Sequence, residues 1–184
     1  MADLYIAPVP AGSMESLFPP QRQAQLEATK DQGHRRQRYG VWKLLEYALS
    51  QSLGLELRRL QLTLDDRGRW SCQECYFSLS HTDEAVAVAV SRQPIGIDIE
   101  RLDRPLHPSL PSKILTPDQL AEYTALAEAE KQPYLLQRWC AKESLFKWQE
   151  AAQPPAPPAQ TGIISIGGKA YCYAVVTQEE IKWN

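Results

Sequence analysis

Histidine is scarce in this sequence: His34, His81 and His107 are the whole supply in 184 residues. So few exclude a histidine-rich metal site. Cysteine is nearly as sparse. Cys72 and Cys75 form a single C-x-x-C, Cys140 and Cys172 stand apart, and no second pair follows at zinc-ribbon spacing. Reduced, incidental thiols of a cytoplasmic protein are expected, with zinc or redox use as the alternative. Charge of one sign is missing too: 20 Lys and Arg against 22 Asp and Glu leave a net charge of -2. That gives no electrostatic case for nucleic acid or an anionic membrane as the main partner. No apolar run is long enough to cross a bilayer, and Met1–Ile6 lacks a basic leader followed by an apolar stretch, so no secretory signal is expected. What is present is ordinary: 43% hydrophobic and 23% charged residues, enough for one good core or two small ones.

Local patterning predicts an α+β chain. An opening strand is expected over Leu4–Val9 and a polar helix over Pro20–Lys30 with proline at its start. A longer helix after Gly33 carries Trp42, Leu45, Leu49 and Leu53 at helical spacing and stops at Gly54. Arg35, Arg36 and Arg38 crowd its first turns, against the helix dipole, a conflict that a bound anion would relieve. Strands follow over Leu60–Leu64, Tyr76–Ser80, Ala85–Val90 and Ile95–Glu100, and their short connections predict antiparallel neighbours. Thr116 and Pro117 start one helix, and a second is predicted over Pro133–Glu150. The proline-dense stretch Gln153–Gln160 reads as an extended loop. Strands at Gly162–Ile166 and Lys169–Val176 form a hairpin through Gly167-Gly168. Two similar lobes, 1–92 and 93–184, with a cleft between them are expected.

Two segments carry candidate chemistry. In Gly96-Ile97-Asp98-Ile99-Glu100 the alternation sends Asp98 and Glu100 to one face of a strand and the isoleucines to the core. Gly96 permits close approach of another backbone. In Trp139-Cys140-Ala141-Lys142-Glu143-Ser144-Leu145-Phe146-Lys147, Glu143 and Lys147 lie one helical turn apart. Leu135, Trp139 and Phe146 form an apolar stripe in which Lys142 sits. Carboxylates converging from a strand and a helix, with lysines beside them, suit a hard divalent cation and a bound phosphate. The competing readings are a solvated edge strand and an i, i+4 surface pair. Ser80 and His81 are neighbours on a strand and point to opposite faces, so they are no catalytic dyad; His81 at the strand end suits an anion. Arg67-Gly68-Arg69 is a turn that becomes an anion-contacting loop if the cleft lies beside it.

Phe77-Ser78-Leu79-Ser80-His81-Thr82, Pro94–Glu100 and Trp139–Lys147 together resemble the 4′-phosphopantetheinyl transferases, in particular their larger single-chain, pseudodimeric class. Arg36–Gly40 followed by Leu44-Leu45, and Arg67-Gly68-Arg69, also look like family motifs. The resemblance runs from about Arg35 to Lys147 and implies Mg²⁺-dependent transfer of phosphopantetheine from coenzyme A to a serine of an apo acyl or peptidyl carrier protein, releasing 3′,5′-ADP. By position it implies Asp98, Glu100 and Glu143 as metal ligands, and Glu143 as the group that takes the serine proton. It implies Lys142 and Lys147 against the phosphates, Ser80 and His81 at the 3′-phosphate or pyrophosphate, and Arg36, Arg67 and Arg69 at the nucleotide end. The N-terminal lobe would then hold the nucleotide and the C-terminal lobe the acids and the catalytic helix, in a cytoplasmic monomer. Trp70 stands where the family loop usually continues with proline, and Asp83 where histidine or glycine is frequent. A non-catalytic coenzyme A- or carrier-binding module, and a metal-dependent pyrophosphate hydrolase on the same acids, are the alternatives. The stretch Leu102–Leu115, with Arg101, Arg104 and Lys113 in or beside it, is either a carrier-docking surface or a plain connector.

Overall fold

Two antiparallel hairpins set up the architecture, and their turns explain why. In the computed structural model, which describes residues 1–12, 14, 18–149, 151–152 and 155–184, β4 (Tyr76–Thr82) and β5 (Ala85–Ser91) are joined by Asp83 and Glu84. Glu84 takes a positive φ of 67° to close that two-residue turn. β7 (Gln160–Ile166) and β8 (Lys169–Thr177) are joined by Gly167 and Gly168 at φ 57° and 78°, a conformation glycine adopts without a Cβ penalty.

The first sheet has the order β4-β5-β1-β9, with β1 spanning Ala2–Pro8 and β9 Ile181–Trp183, the latter parallel to β1. The second is β6-β8-β7, with β6 at Ile95–Arg101. The expectation that β5 and β6 pair as neighbours is therefore corrected. Both edges of β5 are already taken, by β4 and β1, so the chain must leave the sheet after Ser91 and enter another. The Leu60–Leu64 strand also shrinks, to β2 at Thr63–Leu64 paired with β3 at Trp70–Ser71; a 3₁₀ turn over Leu57–Arg59 precedes it.

β5 reads Ala-Val-Ala-Val-Ala-Val and is buried on both faces. Its valines join Trp42 and Leu45 of α2 (Gln32–Ala48) in one core cluster. Its alanines face Ile95, Ile97 and Ile99 of β6 in another. Small against large lets the sheets approach closely. The far side of β6 and β8 is covered by α5, Glu128–Gln149, so the layers run helix, sheet, sheet, helix. This is a mixed α+β fold.

α1 (Pro20–Ala28) starts at a proline, and α2 is capped by Asp31, which accepts from the His34 amide at 2.7 Å. α2 ends through a π turn over Leu49–Leu53 at Gly54, φ 65°. α3 (Leu110–Ile114), not expected from sequence, precedes α4 (Pro117–Ala125). Thr116 and Gln119 form the reciprocal capping pair of α4. α5 begins five residues before Pro133, which it carries inside its N-terminal part. The predicted helix end at Glu150 and the first two residues of the Gln153–Gln160 loop lie outside the described residues. Among the described residues no helix is long and apolar enough to cross a membrane.

Candidate functional site

The site grows from a seam between the two sheets. Alternation along β4 turns Ser78, Ser80 and Thr82 to one side, and all three reach β6. The Ile97 amide donates to Ser78 Oγ at 3.0 Å and the Ile99 amide to Ser80 Oγ at 3.2 Å. Ser80 in turn donates to Asp98 Oδ1 at 2.8 Å, and Thr82 to Glu100 Oε2 at 3.3 Å. Ser80, expected to touch a bound phosphate, is thus buried and committed to Asp98 and the Ile99 amide.

Lys147 closes the same point from α5. Its ammonium donates to Leu79 O at 3.3 Å, Ile97 O at 2.9 Å and Asp98 Oδ1 at 2.8 Å, so one cation ties β4, β6 and α5. The approach of α5 is possible because β6 has no side chain at Gly96; a Cβ there would lie 1.9 Å from the Ser144 carbonyl oxygen. The close approach expected at Gly96 is real, and its partner is a helix backbone. Burial on α5 follows Leu136, Cys140, Ser144 and Trp148, with Leu135 beside them. Phe146, assigned to the buried stripe from sequence, is instead 50% exposed and walls a cavity of about 370 Å³ with Trp70, Phe77, Leu79, Glu143 and Lys147. Lys142 points elsewhere, donating to Lys113 O at 3.4 Å beside a separate cavity bounded by α4 and α5.

The carboxyl of Glu143 is pushed above its ordinary range by burial and by Asp98, against the pull of Lys147 and Lys142, with a smaller push from Glu100. The three acids therefore feel one another. Among the described residues they are not already gathered into a cage for an ion: Glu100 pairs with Arg104 and accepts from Thr82. Asp98 and Glu143 nonetheless fit a hard cation. Asp98 Oδ2 is buried with no hydrogen-bond partner among the described residues, a costly state that an ion would relieve.

A second cavity, of about 610 Å³, adjoins the first across Arg67, Gly68, Trp70 and Leu79. Three arginines, Arg22, Arg38 and Arg67, give its walls positive charge, and His34 and His81 line it beside them. Arg22 was not singled out in the sequence; it is 6% exposed, stacks 5.0 Å over Trp42 and donates to Arg38 O at 2.7 Å. Burial and Arg38 depress its pKa to about 10, and among the described residues no carboxylate pairs with it. Its signal was an arginine four residues before Leu26, sharing the only buried face of a polar helix. Arg36, expected at the nucleotide end, is solvent-exposed and lines neither cavity. Arg38, roughly 200° further round the helix, does.

Trp70, the residue in place of proline, packs edge-on against Trp42 at 5.1 Å and walls both cavities. Asp83 stays off the anion-facing side: Gln37 donates to it at 3.3 Å and presents its amide oxygen to His81 Nδ1 at 3.1 Å. Although its surface reaches solvent, His81 is crowded by protein. That crowding, with the charges of Arg38, Lys147 and Arg22, holds its pKa down at about 4.

A pH dependence follows. Between about pH 6.5 and about 4 the unfolded chain takes up a proton at His81 that the folded protein refuses. The wild type is expected to lose more stability than His81→Gln as pH falls through that window. Thermal unfolding of both proteins from pH 7.5 to 4.5 measures the difference. Inorganic phosphate should raise the His81 midpoint, read from its imidazole NMR signal; an unmoved midpoint would place the anion elsewhere.

A model of the 4′-phosphopantetheinyl transferase superfamily matches residues 94–164. Two curated relatives are similar. A 4′-phosphopantetheinyl transferase of Bacillus subtilis is 24% identical over 107 residues, 56% of this chain and 47% of that protein. The 4′-phosphopantetheinyl transferase Sfp of Bacillus subtilis (strain 168) is 30% identical over 74 residues, 40% of this chain and 33% of Sfp. The chain thus spans about half or less of the length of these relatives. The superfamily match takes in Asp98, Glu100, Glu143 and Lys147, of which Asp98 and Lys147 are bonded to each other where β6 meets α5. Over these parts of its length the chain is similar to the 4′-phosphopantetheinyl transferase superfamily.

Proposed function

We propose that the protein transfers the 4′-phosphopantetheine arm of coenzyme A to a serine hydroxyl of an apo acyl or peptidyl carrier protein, with release of 3′,5′-ADP. The observation that carries this reading is the pair of adjoining cavities, one walled by cations, the other running from Trp70 and Phe77 to Glu143 and Lys147. A nucleotide polyphosphate with a long, mostly uncharged arm has that sequence of chemistries. Arg22, Arg38, Arg67 and His81 hold the phosphates of the nucleotide end, and Arg69 borders the arm's cavity. Gln37 orients the His81 ring. Mg²⁺ would be held by Asp98 and Glu143, with Glu100 as the third ligand once released from Arg104; bound there, it would polarise the pyrophosphate and stabilise the leaving group. Lys147 and Ser80 fix Asp98 in place. Glu143, whose raised pKa makes it a better proton acceptor than an ordinary carboxylate, takes the proton of the attacking serine. Lys142 joins the phosphates only by leaving Lys113.

The sheets β4-β5-β1-β9 and β6-β8-β7, each covered by one long helix, support a two-lobed, pseudo-twofold organisation of the larger single-chain class. The division falls near residue 92, and β9 returns to the N-terminal sheet. A monomer working in the cytoplasm fits this reading.

The test is intact mass spectrometry of apo carrier proteins incubated with the protein, coenzyme A and Mg²⁺. A gain of one phosphopantetheinyl group, lost with EDTA or with Glu143→Ala, is the expected result. No gain on fatty-acid, polyketide or peptide carriers would sink the transferase reading, and release of 3′,5′-ADP without a carrier would favour the hydrolase. Independently of turnover, Mg²⁺ is expected to raise the melting temperature of the wild type and not that of Glu143→Gln.

A further inference from the structure

Two pairs of free thiols lie within contact distance, and they differ in access. Cys72 and Cys75 are 3.5 Å apart between sulfurs, and Cys140 and Cys172 are 3.4 Å apart. The second pair is sealed between α5 and β8, both residues at 0% exposure. In the first, Cys72 is half-buried and open to solvent while Cys75 lies behind it at 5% exposure. The loop that holds them is fixed: Cys72 Sγ bonds to Cys75 O at 3.3 Å, and Arg92 donates to the intervening Glu74 carbonyl at 3.0 Å.

We propose that Cys72 and Cys75 are a reversible dithiol–disulfide site, oxidised by small-molecule disulfides, on the loop that leads from Trp70 into β4. In the first step the Cys72 thiolate attacks one sulfur of the small disulfide, forms a mixed disulfide and expels one thiolate. Cys75 then gives up its proton, its sulfur attacks Cys72 Sγ, and the second small thiolate leaves. Two protein thiols become one disulfide as one small disulfide becomes two thiols, and excess thiol reverses both steps. The order of attack has a physical basis. The hydrogen bond from Cys75 holds the Cys72 thiol at about 7 despite its partial burial, while Cys75 is pushed up by that same bond and by burial. Cys140 is pushed up as well, by its bond to Cys172 and by burial, so proximity alone does not make the inner pair reactive.

Bonding brings the sulfurs about 1.5 Å closer than their present contact. Both cysteines wall a cavity of about 310 Å³ with Arg67, Arg69 and Trp70, so oxidation reshapes the side of the Arg67–Arg69 loop.

The experiment incubates the folded protein with oxidised glutathione, quenches with acid, and alkylates in denaturant before peptide mapping. The expected product has lost two hydrogens, with Cys72 and Cys75 unlabelled, Cys140 and Cys172 labelled, and full recovery in dithiothreitol. Cys75→Ser should stop at a single glutathionyl group on Cys72. Cys72→Ser should react at Cys75 slower by on the order of tenfold or more. Labelling of all four cysteines, an unresolved mixed disulfide in the wild type, or oxidation of Cys140 with Cys172 first would each overturn the proposal.

Discussion

Gly96→Ala is expected to cost at least about 3 kcal/mol of folding stability, lowering the melting temperature by roughly 6–12 °C in a chain of this size. The added methyl group would sit 1.9 Å from the Ser144 carbonyl oxygen and 2.8 Å from the Trp148 amide nitrogen. Neither atom is the end of a flexible side chain, so no rotamer change relieves the clash. The only remedy is to lift α5 off β6, which also withdraws Lys147 from Asp98 and unseats Trp148, 1% exposed. Gly33→Ala is the control. It lies in the first turn of α2, where the new methyl meets only the Asp31 side chain at 3.2 Å, and its effect should stay within about 1 kcal/mol. A Gly96→Ala protein that melts within a few degrees of the wild type would mean that α5 does not rest on β6 as described.

Lys147→Met carries the second large expectation, a loss of about 3–5 kcal/mol. The substitution keeps an unbranched apolar stem and removes the ammonium. It strands Asp98, whose side chain is 9% exposed, together with the Leu79 and Ile97 carbonyls that Lys147 also serves. Ser80 remains as the one donor to Asp98 Oδ1, and Oδ2 has none among the described residues. Lys147→Arg should recover only part of the loss, since a planar guanidinium cannot place one nitrogen among three converging acceptors. Asp98→Asn combined with Lys147→Met should cost less than the sum of the two single changes, because the stranded charge is then gone. Denaturant unfolding of the four proteins completes the cycle. Additive costs would show that the two side chains do not act on each other.

Much of this was readable from the sequence, for reasons that can be traced to residues. Gly167-Gly168 supplies the left-handed backbone that a two-residue hairpin requires, and Thr116-Pro117 with Gln119 supplies a helix start whose chemistry is local. Asp98, Glu143 and Lys147 were picked out by type and spacing, and the fold does bring them together. The misreadings share a cause. Where an element meets another backbone, the residue that fits is small, and the apolar period breaks at that point. Ser144 occupies the buried line of α5 because Gly96 lies beneath it, so the hydrophobic pattern pointed to Phe146 instead. β5 and β6 look like consecutive partners until β1, some eighty residues earlier in sequence, takes the edge between them. Arg22 and Arg36 show the same limit: which arginine faces the cavity depends on helix rotation, which only the packed core fixes.

The seam between the sheets has one consequence of its own. Ser80 accepts from the Ile99 amide while donating to Asp98, so a backbone dipole and a carboxylate share a single hydroxyl. Hydrogen bonds in such a chain polarise one another. Whatever draws electron density from Asp98, whether a proton or a bound cation, must therefore be felt at the Ile99 nitrogen. The protein carries a reporter of its central charge in its own main chain, one residue away and out of reach of the solvent.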